Sequence, residues 1–140
     1  MSNFWRSLPL SSFGTAYAFL RIVTGALMAY HGWEIFDGQK MADYAKWLSD
    51  LQFPAPAAMA YLGKASELVS GLGLLFGLLT RLNALLMAVP MLGICFGMGH
   101  GKFWYEDQHP FLFVLLGALF FFGGGGKWSL DARFFDKKTA

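Results

Sequence analysis

The uncharged run LNALLMAVPMLGICFGMG, Leu82–Gly99, decides the fold. A helix crossing a ~30 Å hydrocarbon core needs about 20 mostly apolar residues. This run is close to that length, with Pro90 near its middle. Three further stretches read the same way. One covers about 13–36 and is interrupted by Arg21. Another covers about 57–79 and carries Lys64 and Glu67. The last, about 110–124, is short and rich in Phe. Arg81 punctuates the join between the second and third, so that turn is expected to be tight. The expected architecture is all-α: a polytopic membrane four-helix bundle in a single membrane domain over residues 1–140.

Composition excludes the main alternatives. Hydrophobic residues make up 56% of the 140 and charged residues 14%, against about 25% charged in soluble domains. So few charges would not cover a water-facing surface. Disordered chains are polar and poor in aromatics, whereas this one has 15 Phe and 5 Trp. A single cysteine, Cys95, excludes a disulfide scaffold and dithiol chemistry. Net charge is +2 with no long Lys/Arg block, so nucleic acid is not an expected partner. Arg6 before an apolar run resembles a signal peptide. Ala16 and Ala18, however, precede the apolar stretch, where a cleavage site would follow it. The first span therefore reads as a retained helix.

Lys/Arg asymmetry orients the spans. Arg6, Arg81, Lys127, Arg133, Lys137 and Lys138 fall on one side, and Lys40, Lys46 and Lys102 on the other. Both termini are then cytoplasmic. In the first outer loop, about 37–56, Met41, Tyr44, Ala45, Trp47, Leu48 and Leu51 recur at helical spacing with Asp43, Lys46 and Asp50 between them. This predicts a short amphipathic helix on the outer membrane surface, stopped by Pro54 and Pro56.

Charges inside spans are costly and face protein, a partner or water. At 1.5 Å per residue, Arg21 lies about 12 Å into the first span and Glu67 about 14–15 Å into the second. Those similar depths predict that the two pair, either structurally or around a ligand. His31 and Glu34 share one face of the first helix, and Lys64 and Glu67 one face of the second. His100 ends the third span outward and His109 begins the fourth. An outer layer of this composition suits a quinone head group, a metal or haem, or an interfacial belt with Trp33, Trp104 and Tyr105 as anchors. The absence of HxxH, HExxH and CxxC spacing leaves no specific metal motif. The expected site is a pocket where His31, Lys64 and His100 converge over Glu67, with Arg21 deeper. Gly73 with Gly77, and Gly93 with Gly97, form small-residue faces suited to helix packing.

Four segments carry a resemblance. They are Leu20-Arg21 with Gly25 and His31-Gly32; Glu67-Leu68-Val69-Ser70-Gly71; Gly77-Leu78-Leu79-Thr80-Arg81; and Gly126-Lys127-Trp128-Ser129-Leu130-Asp131. Their order and spacing resemble the DoxX family of small bacterial membrane proteins. The resemblance implies a four-helix bundle in the bacterial inner membrane and an association with redox chemistry. The family name comes from a subunit of a membrane thiosulfate:quinone oxidoreductase. The resemblance carries over at Arg21, His31, Glu67 and Arg81. It departs after His31-Gly32, where Glu34 and Lys40 stand in place of a family-typical Lys.

The leading expectation is a membrane subunit of a quinone-linked redox system, with Arg21, His31, Lys64, Glu67 and His100 as ligand or quinone candidates. No flavin, nicotinamide or iron–sulfur motif is present. Electrons would therefore come from a partner oxidoreductase, and catalysis by this chain alone is left open. The alternative is a non-enzymatic scaffold or assembly subunit of a larger membrane complex. A transporter is disfavoured, because 140 residues hold no visible inverted repeat.

Overall fold

The computed structural model describes residues 10–135. Among them there is helix and turn but no strand. Helix α1 spans Leu10–Gly32 and runs on into a 3-10 turn, Trp33–Phe36. Next come α2 (Gly38–Asp50), α3 (Pro56–Phe76) and α4 (Thr80–Leu92), the last continued by a π-helical turn over Gly93–Met98. Then follow α5 (Gln108–Gly123) and the short α6 (Leu130–Phe134). The expected spans and the amphipathic segment are thus all helical, within a few residues of their expected limits. Two stretches, Ser12–Phe36 and Thr80–Met98, are long and apolar enough by length and composition to cross a membrane. Helix α5 is apolar but shorter, and α3 carries Lys64 and Glu67. Of the charges used to orient the chain, Arg6, Lys137 and Lys138 lie outside the described residues.

The helices pack as α1 on α3, α3 on α4 and α4 on α5, with α2 laid across α3. Met28, Leu74, Ala84, Met87, Met91, Phe113 and Phe120 form the central core. Pro90, inside α4, removes one helical amide, and the backbone widens into the π turn just beyond it.

Backbone contact sets the α1–α3 register. A Cβ at Gly25 would collide with the backbone of Leu75, one at Gly32 with Leu68, and one at Gly71 with Ala29. Small residues let helices approach this closely. All three contacts fall on one antiparallel register, which places residue 79 opposite Arg21 and residue 33 opposite Glu67. Of the glycines expected to pack helices, Gly73 admits the Asn83 side chain of α4, and Gly77 ends α3 at φ +65°. A Cβ on Gly93 or Gly97 would meet nothing within 4 Å.

Helix α2 starts where the Asp37 side chain accepts from the amides of Gln39 (3.1 Å) and Lys40 (3.2 Å). Part of its apolar face is buried, while Trp47 and Leu51 are exposed. Met41 and Leu48 pack with Ala60 of α3, flanked by Tyr44, Phe53 and Met98.

Candidate functional site

The polar centre lies where the end of α1, α2 and the first half of α3 meet. Glu34 Oε1 accepts from Lys40 Nζ at 2.8 Å, and its Oε2 accepts from the Tyr44 hydroxyl at 2.6 Å. Lys64 Nζ stands 3.1 Å from the same Oε2 and 2.9 Å from Glu67 Oε2. It also donates to the His31 carbonyl at 3.4 Å and lies 4.6 Å from the centre of the Tyr44 ring. Two carboxylates thus share one largely buried ammonium, and the exposed Lys40 supplies a second positive charge. The Glu34 carboxylate holds the Lys40 ammonium above its ordinary range. Burial, and then the hydrogen bond to Glu34, pushes the Tyr44 phenol up.

Two cavities meet at Glu67. The larger, about 630 Å³, lies between α2, α3 and the α4–π segment. Its walls include Trp47, Phe53, Leu62, Val89, Ile94 and Met98, and its polar end is Tyr44, Lys64 and Glu67. Gly93 and Gly97 line it as well, so the small-residue face expected to pack a helix borders open space instead. The smaller cavity, about 130 Å³, is lined by His31, Glu67 and His109 among Met28, Met91, Ile94 and Phe113. The His31 and His109 rings stand edge to face, 6.1 Å apart. The four residues expected to converge are therefore divided. Lys64 and Glu67 line the larger cavity, and Glu67 also borders the smaller one, with His31. His100 lines neither; it is exposed, and its amide donates to Asp107 at 3.0 Å. Among the described residues, no group of three or more His, Cys, Asp or Glu side chains is arranged to hold a metal.

The expected Arg21–Glu67 pair does not form. Arg21 is fully buried. Its Nη1 donates to the carbonyls of Leu74 and Leu75, and its Nη2 to those of Trp128 (3.1 Å) and Lys127 (3.4 Å). The helix register explains this. Arg21 meets α3 at the Leu74 and Leu75 carbonyls, seven and eight residues beyond Glu67, or about 10–12 Å along the helix. Equal depth in each span, counted from the sequence, missed that offset. Arg21 instead reaches the last-turn carbonyls of α3, where Leu74 O also accepts from the Gly77 amide at 3.2 Å, and ties them to the segment after α5. Beside it, Asp131 accepts from the amides of Leu79 (2.6 Å) and Thr80 (2.8 Å) and donates its own amide to Gly77 O at 2.9 Å. Arg21 thus lines neither of the two cavities that meet at Glu67.

The DoxX family model matches residues 16–100. The chain belongs to the DoxX family. The matched stretch of this DoxX protein holds Arg21, the α1–α3 glycine contacts, Glu34, Lys64 and Glu67, and ends before α5 and the Gly126–Asp131 segment. The family is membrane-associated, in keeping with the two apolar helices. The chain is also 33% identical over 82 residues to the Bacillus subtilis (strain 168) protein named "Putative oxidoreductase CatD". The alignment covers 59% of this chain and 58% of that protein, so the chain spans a little over half of its relative's length. No solved structure matches the chain.

Proposed function

We propose that this DoxX protein is a four-span, multi-pass protein of the bacterial inner membrane with both termini cytoplasmic. We propose further that it holds a quinone in the 630 Å³ cavity as the membrane subunit of a redox system completed by a partner oxidoreductase. The single observation that carries the reading is the cavity itself: apolar walls ending in a buried Lys64–Glu67 pair. That combination suits a ligand with a greasy tail and a polar ring, and the volume lies in the ordinary range for small-molecule sites. The name of the Bacillus subtilis relative supports the redox assignment. The lack of a flavin, nicotinamide or iron–sulfur motif supports a partner as the source of electrons.

Four spans are supported by the outward faces. Leu62, Val69 and Phe76 on α3 and Leu112, Leu115 and Phe122 on α5 are exposed, while Lys64 and Glu67 turn inward. An apolar exterior around inward charges suits lipid. Lipid extraction of protein purified in mild detergent, followed by mass spectrometry, tests the ligand. A stoichiometric isoprenoid quinone is expected, with saturable quenching of Trp47 fluorescence when quinone is added back. No extracted quinone and no saturable binding would leave the scaffold alternative.

A further inference from the structure

The polar end of the large cavity has its donors in use and an acceptor to spare. An ammonium carries three N–H donors, and Lys64 already faces three acceptors: Glu34 Oε2, Glu67 Oε2 and the His31 carbonyl. The Tyr44 hydroxyl proton is given to Glu34. Glu67 is different. Its Oε2 takes Lys64, while its Oε1 has no donor among the described residues, and the side chain is only 10% exposed. The Ser66 hydroxyl donates to the Gly63 carbonyl at 2.7 Å, and the Trp47 indole is nearly half exposed and lies one turn farther along α2 than Tyr44. The polar end therefore calls for a donor, not for a carbonyl.

We propose that Glu67 Oε1 takes a hydroxyl of the bound ligand, so that the cavity selects the phenolic, reduced form of an aromatic lipid (a quinol) over its carbonyl form. This deepens the quinone reading of the same cavity and rests on it. A quinone carbonyl placed at Glu67 would set two acceptors face to face with no donor between them. A quinol hydroxyl gives that oxygen a charge-assisted hydrogen bond. A phospholipid head group would bring a phosphate against Glu34 and Glu67, which disfavours it.

A redox-inert ligand pair tests this: para-nonylphenol, which donates, and its methyl ether, which does not. Binding to the full-length protein in detergent is followed by Trp47 fluorescence. The phenol is expected to bind about tenfold tighter or more, the scale of one buried hydrogen bond to a charged group. Glu67→Leu should bring the two affinities together, and Glu67→Gln, which keeps a neutral acceptor, should fall between. Equal affinities for the wild type would overturn the inference while leaving the cavity as a ligand site. So would a phenol preference that survives in Glu67→Leu. No saturable binding of either ligand would overturn both the inference and the quinone reading. The wild-type ratio decides the matter even if a variant fails to fold.

Discussion

Asp131 caps the start of α4 from outside it, accepting the amide of Thr80 at 2.8 Å across fifty-one residues of sequence. Leu79, the residue before the helix, is held at φ +46° and gives its amide to the same carboxylate. A side chain delivered by the segment after α5 thus does what a local Ser or Asp usually does. Asp131→Ala should cost about 1–2 kcal/mol, with Asp131→Asn losing less. Thermal unfolding in detergent measures this, and quinone affinity at the distant cavity should not change.

Arg21→Met should be costlier, because one buried guanidinium serves four carbonyls on two segments. Hydrogen bonds to charged groups contribute about 1.5–3 kcal/mol each, so a loss of about 3 kcal/mol or more is expected. Arg21→Lys should rescue only part of it, since a single ammonium cannot span both segments. Folded yield by size exclusion reads the effect. The fraction that folds should bind ligand normally, which separates a structural tie from a ligand contact.

Lys64→Met would leave Glu67 without its cation, while Glu34 keeps Lys40 and Tyr44. Breaking a buried pair by removing one partner costs about 3–5 kcal/mol. Glu67→Gln leaves Lys64 paired with Glu34 and should cost less. Detergent unfolding curves for the two variants should rank them in that order.

The junction of α1 and α2 should weaken in alkali. In the folded protein the Tyr44 phenol and the Lys40 ammonium are both raised, Tyr44 chiefly by burial and Lys40 by its hydrogen bond to Glu34. A raised group contributes stability that is complete below its unfolded value, about 10 for Tyr and 10.4 for Lys. That stability is lost as pH rises through the folded value. Melting temperature should therefore hold from neutral pH to about pH 9 and fall above about pH 10. Tyr44→Phe should flatten part of that fall while lowering stability at neutral pH.

Orientation is open to labelling. In a Cys95→Ser background, a membrane-impermeant maleimide added to intact cells should modify Lys46→Cys but not Arg81→Cys. Both positions are exposed on the protein, so access depends on the side of the membrane. The reverse pattern would invert the topology.

Five of the six helices among the described residues are readable from local signals, and the short α6 is not. Apolar runs located α1, α3, α4 and α5, and the spacing of Met41, Tyr44 and Leu48 located α2. Lys64 and Glu67 were readable too, because charges in apolar runs stand out. What the linear pattern lacks is the offset between helices. That offset depends on where Gly25, Gly32 and Gly71 let two backbones touch, and without it Arg21 and Glu67 looked level. Glu34 and Tyr44 carry a weaker signal. Glu34 shares a face with His31, and Tyr44 lies on the apolar side of α2, so both point toward α3. Asp131 had no local signal as a cap, since its helix begins far upstream.

The offset keeps two buried polar nodes apart. Thirteen residues of helical chain, about 20 Å at most, separate Arg21 from Glu34. Each node is turned away from the outer faces of the helices, since Arg21 is fully buried and the Lys64 and Glu67 side chains are about one-tenth exposed. The molecule can therefore be altered at one end without the other: changes around Arg21 act on the join of α3, α4 and the segment after α5, and changes around Glu34 act on the mouth of the cavity.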